Sequence, residues 1–438
     1  MFEFLKYIQP GNYYRLVYQM PQAILIFPTL LDVKVGYSSK ESELMDRAYG
    51  YLQSGWIPES SGNRNALQDR MISSVSDNYI FIHRYFSKAQ VLWVLVIRLL
   101  SFKNPLREIY SFLKALKYKR VKIESKEYNK FGCFQSSLIK SNSLVSVIIP
   151  TLNRYEYLKD VLKDLENQSY SNFEVIICDQ SEPIDESFYV GWNLNIQLIQ
   201  QKEKALWLAR NNAIKNAKGE FIALTEDDVA LPIDWLTNHL KCLDFFDTDA
   251  SAGLFYRNDG IKDKHSIPKT TFKYSQQFPT GNTLIKKNVF QKIGLFDCQF
   301  EKQRMGDGEF GLRALLAGFR IISNPMAYII DVKAPTGGLR QMGSWDAWRP
   351  TSLFAPRPIP SVLYLIRKYH NAHESLLYLI KNIPQSYVPY RYKGNKIIIL
   401  LIFTLLPFWL PLAIISVTKS WKLATVKLKQ GDLIEYLV

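Results

Sequence analysis

At 438 residues the chain is nearly three times a typical domain of about 150, which excludes one small domain. It is 47% hydrophobic and 22% charged, with 9 Trp, 26 Tyr and 25 Phe, enough to fill a large core and unlike the polar composition of disorder. Formal net charge is +15, unevenly shared: residues 1–143 carry 20 basic and 11 acidic side chains, 144–331 carry 21 and 25, and 332–438 carry 14 and 4. Basic flanks attract anionic lipid headgroups, nucleotide phosphates or nucleic acid, but no nucleic-acid motif is present and the middle is acidic.

Residues 1–143 form an N-terminal extension of unassigned role, read as mixed or helical. Its opening stretch lacks the uninterrupted apolar run of a signal peptide, because Lys6, Pro10 and Arg15 break it. Four cysteines, Cys133, Cys178, Cys242 and Cys298, are scattered without a CxxC pair, which argues against a zinc or disulfide framework and suits a reducing compartment. Short apolar stretches at 23–31, 79–86, 91–100 and 109–116 are separated by polar linkers such as 58–65. The run at 91–100 is too short to span a bilayer and reads as a buried or interfacial helix. Over 105–120, Ile109, Leu113 and Leu116 share one helical face and lysines the other, suiting a surface helix or an anionic membrane.

From Leu144 short β-branched runs alternate with amphipathic stripes. Strands are predicted at 144–150, 173–179, 196–200 and 220–224, with a helix carrying Leu158, Val161, Leu162 and Leu165. Near-continuous apolar strands predict a mainly parallel sheet between helices, in which ligands collect beyond the carboxyl ends of the strands. Three strand exits there present polar groups: PTLNR, CDQSEP and TEDDVALP. Glu226, Asp227 and Asp228 crowd three carboxylates at one strand tip, costly without a cation. A hard divalent ion such as Mg²⁺ or Mn²⁺ would relieve that, while a solvated acidic turn is the plainer alternative.

With VSVIIPTLNRYEYL, FEVIICDQSEP, LWLARNNAIKNAKGEFIALTEDDVALPIDWL, FPTGNTLIKKNVFQKIGLFD and MGDGEFGLRALLAGFRI in that order, the segment at about 144–331 resembles the inverting, family-two glycosyltransferases of GT-A fold. The resemblance implies a metal-dependent transfer of a sugar from a UDP- or TDP-type donor to a hydroxyl of a lipid-linked or cell-surface glycan. It implies metal binding by Glu226 and Asp228, with Asp331 standing where family members often place a histidine. Asp307 matches the general base and Glu309 is its rival, although Glu309 and Arg313 also suit an ordinary i, i+4 pair. Donor contacts fall to Pro150, Thr151 and Asn153 in the first loop, to Asp179 at the second strand end, to Arg210 and Asp227, and to Gly281 and Asn282 on the acceptor side. Arg340, in the glycine-bearing segment 333–340, is either a loop closing over a diphosphate or a basic hinge. A noncatalytic scaffold subunit of a polysaccharide assembly complex is the alternative.

Residues 332–438 form a basic C-terminal region. Its segment 397–417 holds 21 residues without a charge, long enough for the roughly 20 that a helix needs to cross a bilayer, flanked by Lys and Arg on both sides. Pro407 and Pro411 favour a kinked or re-entrant path over a straight one, and a buried pair of apolar helices is the soluble alternative. Membrane association at the cytoplasmic face of a bacterial inner membrane, with an anionic membrane surface as partner, is the expectation.

Overall fold

The computed structural model describes residues 3–10, 36–57, 73–257, 271–275, 277–334, 347–350 and 352–437. The apolar stretch 23–31, the linker 58–65 and Arg340 lie outside the described residues. Packing divides the chain into two compact units, Met1–Lys126 with Trp348–Lys422, and Glu127–Ala347 with Leu423–Val438.

The first unit is helical. Helix α1 (Lys40–Ser54) starts where Ser39 accepts the Ser42 N–H and stops at Gly55, whose φ of 91° lets Trp56 N–H reach back to the Tyr51 carbonyl. Helices α2 (Val75–Tyr85), α3 (Lys88–Leu100) and α4 (Pro105–Ala115) open on Ser74, Ser87 and Asn104, each side chain capping a backbone N–H. At Ser87 and Gln90 the capping is reciprocal. The rings of Tyr49, Phe81 and Tyr85 meet edge to face in the interior. Arg98 and Glu108 form a buried ion pair of 2.6 Å that also accepts the Tyr79 hydroxyl at 2.8 Å.

The second unit is built on a nine-stranded sheet. Strand β1 (Val145–Thr151) leads to α5 (Tyr155–Glu166), β2 (Phe173–Asp179), β3 (Ile196–Gln200), α6 (Leu206–Asn216) and β4 (Phe221–Thr225). The stripe Leu158, Val161, Leu162 and Leu165 is fully buried against Val145, Val147 and Ile149. Then follow β5 (Val229–Ala230), α7 (Trp235–Phe245), β6 (Ala250–Arg257), β7 (Lys273–Tyr274), β8 (Asn282–Lys286), α8 (Lys287–Ile293), α9 (Gly306–Leu316) and β9 (Ile321–Asp331). The four predicted strands form within about a residue of their predicted bounds.

The sheet order is β3-β2-β1-β4-β8-β6-β9-β5, with β7 also on β9. The run β3-β2-β1-β4 is parallel throughout. Strand β8 is antiparallel to both β4 and β6, so β6 points the same way as β4, and β9 runs parallel to β6. Six strands thus share one direction, while β8, β5 and β7 reverse it. The carboxyl ends of β1, β2, β4, β6 and β9 gather along one edge, and the reversal of β8 brings its first residues to that edge as well. The α/β class and the mainly parallel sheet match the expectation.

Beyond the sheet come α10 (Pro360–Tyr369), α11 (Ala372–Ser386), α12 (Lys396–Thr404) and α13 (Leu406–Gln430). The uncharged run 397–417 is therefore not one helix. Pro407, which suits the first turn of a helix and disrupts an interior, falls just inside α13, and Pro411 lies within it. Among the described residues no helix is long and apolar enough to cross a membrane. Nor is the run a buried pair: Ile397 and Phe408 are 70% and 81% exposed. The final residues return to the sheet unit, where Leu295 N–H donates to the Glu435 carbonyl and Cys298 N–H to that of Leu433.

Candidate active site

The strand ends enclose a cleft of about 620 Å³. Pro150, Thr151 and Leu152 come from the end of β1, Gln180 from that of β2, Glu226, Asp227 and Asp228 from that of β4, Tyr256 and Arg257 from that of β6, and Asp331 and Lys333 from that of β9. Arg210 enters from the first turns of α6 and Arg304 from the loop before α9. Of the predicted site residues, Pro150, Thr151, Arg210, Glu226, Asp227, Asp228 and Asp331 are brought together here.

The acidic motif is organised by a residue the sequence reading passed over. Arg154, at the start of α5, places Nη1 2.9 Å from Asp227 Oδ1 and 3.2 Å from Asp228 Oδ2. Thr151 donates its hydroxyl to the other oxygen of Asp227 at 2.8 Å, so Thr151 supports an acid as well as lining the wall. Asp228 accepts the Ala334 N–H at 3.1 Å, fastening the exit of β9. The only sequence signal for Arg154 was its place beside Asn153 in the PTLNR loop.

Glu226 is half-buried and faces the cleft. Burial pushes its carboxyl up to about 7, Arg210 pulls it down, and Asp228, Asp227 and Asp331 push it further up. Asp331 is raised by burial, held back by Lys333 and raised by Asp228. Beside these acids, the Arg210 guanidinium is 1% exposed. It donates to the Thr280 carbonyl at 3.2 Å and lies 3.9 Å from Glu226, while its Nε is buried without a hydrogen-bond partner. Burial draws its pKa down, opposed by Glu226 and then Asp307.

Gly281 earns its place through Glu226 rather than through a ligand: a Cβ there would lie 2.8 Å from that carboxylate. Four other predicted residues are engaged by the protein's own packing or turns. Asn282 is fully buried, its amide donating to the Leu254 and Ala327 carbonyls and accepting from the Trp235 indole and the His239 ring, so it joins β6, β8, β9 and α7 rather than facing an acceptor. Asp179 is also fully buried, with Oδ1 taken by Ser181 N–H and Oδ2 by the hydroxyls of Tyr155 and Tyr189 at 2.7 and 2.8 Å. Its neighbour Gln180 lines the cleft instead. Asn153 is exposed, with φ of 52° and its N–H on Ser181 Oγ, a turn position that asparagine tolerates. Glu309 is fully buried against Arg313 at 3.1 Å, and Arg313 in turn donates to the carbonyls of Ile293, Gly294 and Leu295. It fastens α9 through Arg313. Asp307 lies on the first turn of α9, half-buried, outside the lining of the cleft but close enough for its charge to act on Arg210.

Among the described residues no group of three or more His, Cys, Asp or Glu is arranged to hold a metal ion. A closed protein cage for the expected Glu226, Asp228 and Asp331 set is therefore not present. Arg154 takes part of the charge of Asp227 and Asp228, whereas Glu226 and Asp331 are kept raised by burial first and by neighbouring carboxylates second. That donor set fits a hard cation bound by one or two carboxylates and completed by a ligand's phosphate oxygens.

Residues 146–300, within the sheet unit, match the model of glycosyl transferase family 2. An uncharacterized glycosyltransferase of Rickettsia typhi is 29% identical over 170 residues, 35% of this chain and 54% of that protein, so the chain spans about half of that relative's length. An uncharacterized glycosyltransferase of Bacillus subtilis is 25% identical over 208 residues, 44% of this chain and 75% of the relative. The solved S. aureus TarS in complex with UDP-GlcNAc is 18% identical, with a TM-score of 0.42 over 66% of this chain and 92% of that one.

Proposed function

We propose that the chain is an inverting glycosyltransferase, moving a sugar from a UDP- or TDP-type donor to a hydroxyl of a lipid-linked or cell-surface glycan. One observation carries this reading: the cleft floor sets a buried guanidinium with an unpartnered Nε, that of Arg210, beside carboxylates that repel one another. A diphosphate with a divalent cation would satisfy both at once, the phosphate oxygens meeting Arg210 and one or two of the carboxylates Glu226, Asp228 and Asp331 holding the cation. When bound, Mg²⁺ or Mn²⁺ supplies Lewis-acid neutralisation of the leaving diphosphate.

The chain's own residues do the rest. Arg210 holds the anion in a water-poor setting where its charge is felt strongly. Arg154 and Thr151 fix the acids, and Gly281 leaves Glu226 the room to face the donor. Pro150, Leu152 and Gln180 form the wall at the ends of β1 and β2, where the nucleoside end of the donor lies in this reading. Asp307 takes the proton from the acceptor hydroxyl, reaching it when donor and acceptor fill the cleft. The exposed apolar positions of α12 and α13 and their flanking cations support placing this reaction at the cytoplasmic face of an inner membrane.

Calorimetry with UDP, with and without Mn²⁺, followed by assay of UDP release from UDP-sugars, tests the proposal. Binding that requires Mn²⁺ and is lost in Arg210→Ala and Asp228→Ala supports it. Full turnover in Asp228→Ala would refute the metal assignment, and absence of both nucleotide and metal binding would leave the scaffold subunit as the better account.

A further inference from the structure

We infer that the outward face of α3 and α4 is a docking surface for an anionic lipid bilayer. This deepens the membrane side of the reading above, and it stands on the helical unit rather than on the donor cleft. Helix α4 is turned with its polar residues inward. Glu108 and Ser111 are buried, the first on Arg98 and Tyr79 and the second 2.9 Å from Ser76 Oγ. Leu106, Ile109 and Leu113 face solvent, 81%, 42% and 54% exposed. A surface helix of a soluble domain shows the opposite arrangement.

Helix α3 packs on α4 and extends the same anomaly. Its inner side buries Val91, Val94 and Leu95, yet its outer positions Leu92, Val96 and Leu100 are also apolar and are exposed. The turn between the helices presents Phe102, 98% exposed, in a left-handed conformation with φ of 54°. An aromatic ring on such a turn contributes nothing to the fold that a polar residue would not.

Charge selects the occupant. Seven basic residues fall between Lys103 and Lys122, and the one acid in that span, Glu108, is buried against Arg98. Apolar side chains with cations in a span that offers no exposed carboxylate match the interface of an anionic bilayer, where the apolar face enters the acyl boundary and the cations meet the headgroups. At 13 residues with Arg98 inside, α3 lies on such a surface and does not cross it.

The test uses the full chain and sedimentation with sucrose-loaded vesicles, either of phosphatidylcholine alone or of phosphatidylcholine mixed with phosphatidylglycerol. The parent is expected to bind the mixed vesicles in preference, and added salt to weaken it. The double variant Phe102→Asn, Leu106→Gln and the charge variant Lys103→Ala, Arg107→Ala are each expected to bind at least about tenfold more weakly, with parental unfolding midpoints and unchanged UDP release on a soluble acceptor. Loss of UDP release in the parent itself overturns the transferase reading and leaves the docking result standing. Parental vesicle binding by both variants, or binding indifferent to phosphatidylglycerol, overturns the docking proposal. So does a parent that dimerises through this face, shown by a monomeric double variant that still binds vesicles fully.

Discussion

Arg154 spans the acidic motif from a different strand exit, its guanidinium contacting Asp227 at 2.9 Å and Asp228 at 3.2 Å with all three side chains buried. The ends of β1 and β4 are thereby joined by charge as well as by backbone pairing. Removing one partner of a buried ion pair costs roughly 3–5 kcal/mol, because the other charge stays desolvated. Arg154→Ala is therefore expected to lower the unfolding free energy in urea by about that amount. Mn²⁺ should restore part of the loss by supplying the missing positive charge, and a variant as stable as the parent in metal-free buffer would remove Arg154 from this role.

Gly281→Ala separates stability from function. The added Cβ meets the far end of the Glu226 side chain at 2.8 Å, and a half-exposed side chain can swing away. Unfolding should change by less than about 1 kcal/mol. A displacement of Glu226 by about 1 Å is enough to cost roughly 10²-fold in turnover, read as kcat for UDP release.

How much of this was legible in the sequence depended on whether a residue's partner lay nearby in the chain. Strands β1 to β4 and helix α5 were readable because their apolar periodicities are local, and the gathering of strand ends followed from a parallel sheet. Glu226, Asp228 and Arg210 could be nominated from the strand exit and helix that carry them. The partners of Asn282 and Asp179 were not legible, since what occupies their oxygens comes from residues as far away as Trp235, 47 positions from Asn282, and Tyr155, 24 positions from Asp179. The outward turn of α4 was equally hidden: the stripe of Ile109, Leu113 and Leu116 was visible, but which face met the unit was decided by the Arg98–Glu108 pair.

Asp179 gives a clear contrast between packing and recognition. Its two tyrosine donors and the Ser181 N–H stabilise the carboxylate in a fully buried position. Tyr189→Phe and Tyr155→Phe should each cost about 1.5–3 kcal/mol, the range for hydrogen bonds to charged groups, measured by denaturant unfolding. Were Asp179 to read the nucleobase directly, Asp179→Asn would raise the KM for donor with stability unchanged. The packing predicts that stability falls first.

His239 sets a pH dependence of stability. Trp235 Nε1–H and His239 Nε2–H both donate to Asn282 Oδ1, so Nδ1 accepts from Ser251, which in turn accepts from Asn324. The Cys242 thiol is the other titratable group in contact with Ser251, and burial holds it protonated with its pKa near 12. Burial lowers the His239 pKa to about 4, so between pH 6.5 and 4 the unfolded chain binds a proton that the folded one refuses. Stability should fall as pH drops through that window, by roughly 3 kcal/mol at its lower end. His239→Gln should flatten this part of the profile, and an identical slope in the variant would point to another group.

Asp307 and Glu309 stand two residues apart on α9 and are expected to fail in opposite ways. Glu309→Gln leaves the half-buried Arg313 without its carboxylate, and Arg313 is what ties α9 to the carbonyls of Ile293, Gly294 and Leu295. The loss should appear as roughly 3 kcal/mol of stability, with turnover per folded molecule largely kept. Asp307→Asn keeps shape and hydrogen-bonding capacity at a half-buried helix start, so the fold should persist. If Asp307 is the base, transfer falls by about 10²–10⁴-fold while UDP and Mn²⁺ bind as before. A variant that loses nucleotide affinity instead would make Asp307 a partner of Arg210 rather than the group that accepts the proton.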